Sequence, residues 1–219
     1  GADELDALAH AAPADFADVA CGHGDTASLF FTSGTTGTPK GTAQSHFSVV
    51  STLRDMMVSH RTRFGEEVYL CAVPLFTNFG LTVTLNLCMY TGGTIVLHER
   101  WDTKRVMADI RRHRATYFGG TPTMYVYMVN DHDPARHDLS SLRICTTGGS
   151  PVPQPVIKRF EELSGVKVAQ VYGATETCGQ NVMEPTAGIR RAGAAGLAVG
   201  SSRIHILDDD GNALPTGEI

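Results

Sequence analysis

Short apolar runs alternate with helix-like segments between residues 68 and 171, and this alternation restricts the fold more than any other feature of the sequence. Apolar runs of this length, bounded by turn signals, are typical of buried strands. They cover residues 68–73, 94–97, 115–118, 142–145 and 166–171. Strand–helix alternation predicts a parallel sheet with right-handed crossovers and helices on both faces. The predicted fold class is therefore α/β, with ligands bound at the carboxyl ends of the strands.

The segments between the strands carry helix start and stop signals. Predicted helices cover residues 45–61, 81–90, 102–114, 121–129 and 153–163. Ser45, Asp102 and Thr121 can cap the first, third and fourth helices, and Pro122 suits a first helical position. The Gly-Gly pair at 92–93 and Gly165 are typical helix stops. The apolar residues at helical spacing that predict the buried face of the first helix are Phe47, Val50, Leu53 and Met57.

Changes in local amino-acid composition along the chain predict three segments. Residues 1–26 form a lead-in rich in Ala and Asp, residues 27–178 form the α/β core, and residues 179–219 begin a smaller β unit. The β unit is predicted from an alternating strand at 203–207 and a turn signal at 209–212. Because the sequence starts at Gly1 and stops where another strand is expected to begin, we expect a truncated piece of a longer protein.

Composition narrows the class of protein. The formal net charge is −5 and no long basic run occurs, which argues against a nucleic-acid surface. The five cysteines are scattered without a C-x-x-C pair, which predicts reduced thiols in a cytoplasmic setting rather than disulfides or a zinc site. No transmembrane segment is expected, because no apolar stretch reaches the length of a membrane span. The composition is compatible with a homo-oligomer.

The stretch from Thr32 to Gly41 consists of small, hydroxylic, Pro and Gly residues around one lysine, Lys40. It follows an apolar run at 27–31, which predicts a buried strand. Glycines allow backbone N–H groups to converge on one point, hydroxyls add donors, and Lys40 adds positive charge. We therefore predict an anion cradle for a polyphosphate. It is not a Walker A loop, because Gly41 follows the lysine where Ser or Thr is required.

A second motif follows directly on the predicted strand 166–171. Tyr172 can stack on a flat base, Thr175 can donate to a phosphate, and Glu176 can coordinate Mg²⁺, which prefers oxygen ligands. Two other turns follow predicted strand ends, a glycine-rich one at 147–151 and an aromatic one at 74–80. Each of these features alone is as readily explained by a structural turn or by core packing.

Together the motifs resemble those of the adenylate-forming (ANL) superfamily, which includes acyl- and aryl-CoA synthetases, nonribosomal peptide adenylation domains and luciferases. The first matches T-S-G-T-T-G-x-P-K-G and the second matches Y-G-x-T-E. Residues 196–200 resemble the family's G-x-P-x-x-G, with Ala198 in place of the proline. The resemblance runs from about Ser28 to the C-terminus and implies a fragment of the large N-terminal domain of an AMP-forming acyl-CoA synthetase (fatty-acid–CoA ligase).

The resemblance implies two half-reactions. A carboxylate attacks the α-phosphate of ATP to give an acyl-adenylate and pyrophosphate, and a thiol, commonly that of coenzyme A, then takes the acyl group and releases AMP. The implied cofactors are ATP, Mg²⁺ and coenzyme A. Lys40, Thr175 and Glu176 are the implied catalytic residues, and Thr32 and Glu176 the implied metal ligands. The implied phosphate-binding residues are Thr32, Ser33, Gly34, Thr35, Thr36, Gly37, Thr38 and Lys40, with Thr175 at the α-phosphate.

The family match also implies how the base and the acid are held. Gly148, Gly149 and Tyr172 would frame the adenine, and Ser150 and Gly173 are further implied nucleotide-binding residues. The acid would contact Thr77, Phe79, Gly148 and Tyr172. Thr77 stands where acyl-CoA synthetases carry a histidine, so no histidine role is carried over.

Apolar residues near the predicted site favour a fatty or other apolar acid. The alternatives are an amino-acid or aryl-acid adenylation domain and a non-catalytic nucleotide-binding scaffold. An amino-acid adenylation domain should show an aspartate in the pocket to hold the α-amine of its substrate, and residues 74–80 contain no aspartate. The family's ribose-binding aspartate and its C-terminal domain with the adenylation lysine would follow Ile219. We therefore expect this piece alone not to turn over.

Overall fold

The computed structural model describes residues 2–13, 15, 17–32, 38–191 and 193–218. Two strands, β1 (Thr26–Thr32) and β2 (Lys40–Ser45), form a separate antiparallel hairpin. The main sheet has seven strands: β3 (Val68–Cys71), β4 (Thr94–Leu97), β5 (Tyr117–Gly120), β6 (Ile144–Thr147), β7 (Val168–Ala174), β8 (Gly179–Met183) and β9 (Leu197–Ala198). The helices are α1 (Ala2–Ala11), α2 (His46–Ser59), a π-helical segment (Phe79–Asn86) that continues into α3 (Leu87–Tyr90), α4 (Thr103–His113), α5 (Pro122–Asp131) and α6 (Gln154–Ser164).

The main sheet has the order β4-β3-β5-β6-β7-β8-β9. Strands β3 to β7 pair in parallel, and β8 and β9 add antiparallel pairs at one edge. The predicted α/β fold is therefore confirmed. Because the five parallel strands run the same way, the loops that follow β3, β5, β6 and β7 lie along one edge of the sheet.

Helices cover both faces of this sheet. On one face, α4, α5 and α6 pack against it through residues such as Ile110, Tyr125 and Phe160. On the other, α2 and the π-helical segment contribute Met56 and Val83. Full burial of one such side chain stabilises the fold by about 1.5–3 kcal/mol. The two apolar clusters hold the sheet rigid beneath the loops at its carboxyl edge.

Most of the predicted helix signals act as expected. The Ser45 side chain accepts from the backbone N–H of Ser48, and Asp102 Oδ1 accepts from that of Arg105. Pro122 begins α5, and Gly165 ends α6 with a φ of 74°. These caps satisfy backbone groups that the helix itself leaves unpaired, which is why the sequence places the helices well.

The prediction that the strand at 27–31 is buried is wrong. Strand β1 forms, but only Phe30 along it is buried, while Leu29 and Phe31 are 56% and 72% exposed. The reason is topological, because β1 pairs with β2 in a two-stranded ribbon outside the main sheet. A ribbon buries at most one face, so alternate apolar side chains remain on its surface.

The predicted buried face of α2 is also wrong in part. Phe47 and Val50 are exposed, whereas Leu53 and Met56 are buried. Val49 packs against the same cluster, so the buried stripe is Val49, Leu53 and Met56, spaced by four and three residues. This stripe is one helical face, rotated by about one residue from the predicted one.

The predicted helix at 81–90 begins earlier and with different geometry. A π-helical segment runs from Phe79 to Asn86 before normal α-helix resumes. The wider turn brings the Thr84 hydroxyl to the Phe79 carbonyl at 3.2 Å. A side chain at Gly80 would collide with the Pro74 carbonyl, so the loop and helix start are packed backbone against backbone. Single-turn π segments frequently occur at functional sites.

The C-terminal β unit is only partly as predicted. Residues 203–207 do not form a strand, and a single bridge joins Leu207 to Ala213. The predicted turn does form, closed by Asp208 Oδ1, which accepts from the backbone N–H of Asn212 at 2.7 Å. Residues 203–207 have no long neighbouring strand with which to form backbone hydrogen bonds. The division at residues 26 and 178 stays a prediction, and β8 extends the main sheet across the second boundary.

Candidate active site

Two cavities lie at the carboxyl edge of the sheet. The inner cavity, about 290 Å³, lies between the π-helical segment and the ends of β6 and β7. The outer cavity, about 550 Å³, lies beyond the turn after β6. The two cavities are adjacent, because Gly149, Val171 and Gly173 line both of them. Three segments that follow strand ends, 77–80, 146–150 and 172–176, contribute lining residues.

Close backbone contacts create the junction between the cavities. A Cβ on Gly148 would lie 2.8 Å from Val171 Cγ2 and 2.9 Å from the Val171 carbonyl oxygen. Gly149 has a φ of +88°, a conformation that side-chain-bearing residues rarely adopt. A Cβ on Gly173 would collide with the carbonyl of Gly179. These glycines are needed for space and for conformation, which supports the prediction that the turn faces a ligand.

The hairpin approaches the Y-G-x-T-E motif directly. Thr32 Oγ1 donates to Glu176 Oε1 at 3.5 Å, although the residues are 144 positions apart. Lys40 is the register partner of Thr32 in the hairpin, so both ends of the phosphate loop lie on the side of Glu176. Thr38 is exposed at the start of the returning strand. The predicted phosphate ligands Ser33, Gly34, Thr35, Thr36 and Gly37 lie outside the described residues.

The turn that carries Glu176 is tightly closed. The backbone N–H of Cys178 donates to the Thr175 carbonyl at 3.1 Å, and Cys178 itself has a φ of 63°. A left-handed conformation at a residue other than glycine costs about 1–3 kcal/mol and is common at functional sites. Strain of this kind is consistent with a turn whose shape is set by the site.

Three of the four predicted acid-binding residues, Thr77, Phe79 and Gly148, line the inner cavity, and Tyr172 does not. Thr77 Oγ1 donates to the Pro74 carbonyl at 2.7 Å and accepts from the Gly80 N–H at 3.1 Å. Its hydroxyl is therefore engaged in the turn. Phe79 is half-buried and packs on the apolar cluster under the cavity. Tyr172 is 60% exposed and lines the outer cavity instead, as does Ser150.

Gln44 lies where three functional segments meet, although no sequence motif includes it. This side chain is only 2% exposed. Its Nε2 donates to Asn78 Oδ1 at 3.0 Å and to the Thr175 carbonyl at 2.9 Å, and its Oε1 accepts from Ser28 Oγ at 3.0 Å. Gln44 thus joins the hairpin, the wall of the inner cavity and the motif turn. A neutral amide inside a strand gives no signal that would have revealed this role.

A second polar network lies beneath the inner cavity. His60 contacts Gln180 Oε1 through Nε2 at 2.7 Å and the Tyr117 hydroxyl through Nδ1 at 3.1 Å. Burial lowers the pKa of His60 to about 4, with the Gln180 hydrogen bond acting in the opposite direction. The imidazole is therefore neutral at physiological pH. It acts as a hydrogen-bonded link between α2, β5 and β8 rather than as a charged group.

The two cysteines near the site are not nucleophiles. Cys145 and Cys178 are both buried. Burial raises the pKa of each thiol above its ordinary value. The reactive form of a cysteine is the thiolate, so these thiols are unreactive at neutral pH.

No helix in the described part of the chain is both long and apolar enough to cross a membrane. Nor do the described residues contain a cluster of three or more His, Cys, Asp or Glu side chains that could hold a metal by themselves.

Comparison with known proteins agrees with this geometry. Residues 2–219 match the family described as AMP-binding enzyme. The chain is 32% identical to a probable CoA ligase, CCL5, of Humulus lupulus over 89% of this chain and 37% of that protein. It is 35% identical to 2-succinylbenzoate–CoA ligase of Bacillus subtilis over 84% of this chain and 37% of that protein. The chain thus spans a little over a third of the length of these curated relatives.

Among solved structures, the chain is similar to the N-terminal domain of FACL13 from Mycobacterium tuberculosis, solved with a bound inhibitor. The TM-score is 0.88 at 30% identity, over 97% of this chain and 53% of that one. The match to the family over nearly the whole chain, together with relatives named as CoA ligases, extends the resemblance seen in the two motifs. The chain belongs to the AMP-binding enzyme family, within the adenylate-forming superfamily.

Proposed function

We propose that the protein to which this chain belongs uses ATP to convert a carboxylic acid to an acyl-adenylate, and then transfers the acyl group to coenzyme A with release of AMP. The observation that carries this proposal is the contact between Thr32 and Glu176, at 3.5 Å, near two cavities that share lining residues. It supports the proposal because Thr32 flanks the predicted phosphate loop, Glu176 is the predicted metal ligand, and the cavities offer space for two organic groups.

The residues at the hairpin suit a magnesium–triphosphate unit. Thr32 and Glu176 provide a hydroxyl and a carboxylate, which are the hard oxygen ligands that Mg²⁺ takes alongside phosphate oxygens. When bound, the metal would neutralise phosphate charge and hold the leaving group in position. Lys40 at the far end of the loop adds a positive charge. Residues 33–37 would supply backbone N–H donors to the β- and γ-phosphates.

The outer cavity suits the nucleotide base. Tyr172 offers a largely exposed aromatic face there, and Gly149, Ser150 and Gly173 provide a close backbone surface beside it. A flat base can stack on such a ring without a bulky neighbour. The α-phosphate then falls near the junction of the cavities, within reach of Thr175.

The inner cavity suits the acid. Its lining combines Phe79, Val83 and Val171 with a few polar groups, which is the usual composition of a small-molecule site. A volume of about 290 Å³ is at the small end of ligand pockets, so we propose a compact, mainly apolar acid. Neither Thr77 nor Asn78 provides a negative charge for an α-amine, which disfavours an amino acid.

The chemistry then requires little covalent participation from the protein. An oxygen of the acid carboxylate attacks the α-phosphorus, the bond to the bridging oxygen breaks, and pyrophosphate leaves with the electron pair. Lys40 and Thr175 stabilise charge on the phosphates, and Glu176 and Thr32 would hold a metal that adds to this stabilisation, so catalysis is mainly electrostatic positioning. In the second step the thiol of coenzyme A attacks the acyl carbonyl carbon, loses its proton, and AMP leaves.

The proposed reaction belongs to the whole protein. A ribose-binding aspartate and a C-terminal domain with an adenylation lysine are proposed to complete the site. Because this chain covers 37% of the first relative, we propose that it does not turn over alone. The cytoplasmic setting, the domain boundaries and the oligomeric state remain predictions.

The test is pyrophosphate release by the complete protein with ATP, Mg²⁺ and a panel of acids: straight-chain acids of increasing length, benzoate and succinate. We expect release with compact acids. Glu176→Gln should lower it about 100-fold or more, because the carboxylate that would hold Mg²⁺ against the phosphates is lost. Glu162→Gln is the matched control, since Glu162 lies on α6 and pairs with Arg159 at 3.0 Å. Absence of release with every acid, or equal rates in the two variants, would contradict the proposal.

A further inference from the structure

The orientation of the Gln44 amide follows from its partners. The Thr175 carbonyl can only accept a hydrogen bond, so the atom 2.9 Å from it must be the Gln44 nitrogen. The Gln44 oxygen then faces Ser28 Oγ, whose hydroxyl can donate. Both assignments agree, which leaves a single orientation for this buried amide.

The same logic fixes Asn78. The second hydrogen of the Gln44 nitrogen points to Asn78 at 3.0 Å, so the Asn78 atom that it meets must be the acceptor Oδ1. The nitrogen of the Asn78 amide therefore turns away from Gln44. Asn78 is 9% exposed and lines the inner cavity, next to Thr77, whose hydroxyl is engaged in the turn. Gln44 therefore uses neither hydrogen of the Asn78 amide nitrogen, which leaves this amide able to donate to a ligand in the inner cavity.

A buried amide with three hydrogen bonds is costly to misplace, because each unmade bond leaves a desolvated polar group. Gln44 therefore holds the hairpin at a fixed distance from the Thr175–Glu176 turn and at a fixed distance from the wall of the inner cavity. An apolar side chain of similar size would fill the space but hold neither partner.

We propose that Gln44 is a positioning residue of the adenylation site, which fixes the Asn78 amide so that it donates to the acid and fixes Thr175 beside the phosphates. This inference rests on the proposed function. Asn78 is the group that touches the acid, binding an oxygen acceptor of the substrate. Gln44 acts through Asn78 and Thr175 without contacting the ligand.

The test is a double-mutant cycle in the complete protein, with the acid that gives the fastest pyrophosphate release. Gln44→Met and Asn78→Leu each remove hydrogen bonds while the side chain keeps nearly the same size. Each single variant should lower kcat/KM for the acid about tenfold, the effect of about one hydrogen bond. Asn78→Leu should act mainly through KM for the acid and change KM for ATP less than about threefold. The double variant should lose less than the product of the two single losses, because Asn78 depends on Gln44 and only the contact with Thr175 is lost in addition.

A second Asn78 variant separates binding from folding. Asn78→Asp keeps an oxygen acceptor for Gln44 but cannot donate to the acid, so it should raise KM for the acid at least as much as Asn78→Leu. Ser164→Ala is the control, because Ser164 Oγ also makes a buried hydrogen bond, at 2.8 Å to the Phe160 carbonyl, beyond the amino end of β7. It should lower thermal stability without raising KM for the acid.

Two results would overturn the inference while leaving the proposed function intact. One is a KM for the acid within about twofold of the wild type in Gln44→Met. The other is a double variant whose loss equals the product of the two single losses. A wild-type protein that releases no pyrophosphate with any acid would instead contradict the proposed function, and this inference with it.

Discussion

At the scale of single residues, the site depends on groups that come close only in the folded chain. Glu176 and Thr32 are neighbours because a two-stranded ribbon reaches over the carboxyl edge of the sheet. The glycines at the junction of the cavities allow backbone to approach within contact distance of Val171. The site is thus shaped as much by missing side chains as by reactive ones.

Gly148→Ala tests this view of the junction. The new Cβ would lie 2.8 Å from Val171 Cγ2, closer than packing allows, so β7 and the turn must separate. We expect kcat/KM for both ATP and the acid to fall about tenfold or more in the complete protein, as a displacement of the order of 1 Å can cost that much. Gly24→Ala is the control, because a Cβ added there would meet nothing within 4 Å. Wild-type kinetics in Gly148→Ala would contradict the account.

The residues that the sequence reveals are those whose chemistry is local. Glu176 and Lys40 stand in compact patterns of glycine and hydroxyl residues, so their proximity to a phosphate could be predicted. Gln44 could not, since its partners lie 34 and 131 positions away and depend on how the hairpin folds back. In the sequence, Asn78 is an ordinary neutral residue. Its role could not be predicted, because the atom that it presents to the cavity depends on Gln44.

At the scale of elements, the sequence predicts helices through their caps and strands through their apolar runs. The cap at Asp102 and the αL stop at Gly165 are local interactions and appear where expected. The ribbon of β1 and β2 could not be predicted, because an apolar run does not tell whether its partner lies in the main sheet or in a hairpin. The π-helical segment depends on packing of Gly80 against Pro74, which no periodicity reports.

Asp102→Ala measures what one such cap contributes. Asp102 Oδ1 accepts from the Arg105 N–H at 3.0 Å, and the aspartate also lies at the positive end of the helix dipole. We expect the free energy of unfolding to fall by about 1 kcal/mol, within the range measured for N-cap removal. Asp209→Ala, at an exposed turn position, is the comparison and should change it by less than about 0.5 kcal/mol. Equal stability of the two variants by urea denaturation would count against the cap.

At the scale of the whole molecule, α2 is held to the sheet by polar as well as apolar contacts. His60 links Tyr117 of β5 to Gln180 of β8 inside the protein. The overall α/β architecture and the convergence of loops at one edge could be predicted, because strand–helix alternation permits few topologies. The antiparallel addition of β8 and β9 could not, since short strands at a sheet edge carry little sequence signal.

The buried His60 predicts a dependence of stability on pH. Its pKa is about 4 in the folded protein and about 6.5 when exposed, so the unfolded chain binds the extra proton between these values. The stabilising effect of the neutral imidazole is complete above pH 6.5 and is lost as pH falls towards 4. The loss should approach about 3 kcal/mol, at 1.36 kcal/mol per pH unit.

His60→Gln, which does not titrate, should lack this component of the pH dependence. Urea denaturation of both proteins between pH 7 and pH 4 measures the difference directly. Parallel stability curves for the two proteins would show that His60 is not buried in its neutral form.

The central claim is that the hairpin and the Y-G-x-T-E motif bind one magnesium–triphosphate unit. A crystal structure of the complete protein with ATP and Mg²⁺ is the most direct measurement. We predict the β- and γ-phosphates within the loop between Thr32 and Lys40, with the Glu176 carboxylate bound to Mg²⁺ at about 2.1 Å or through one water. A triphosphate bound elsewhere, with Glu176 contacting neither metal nor its waters, would contradict the account.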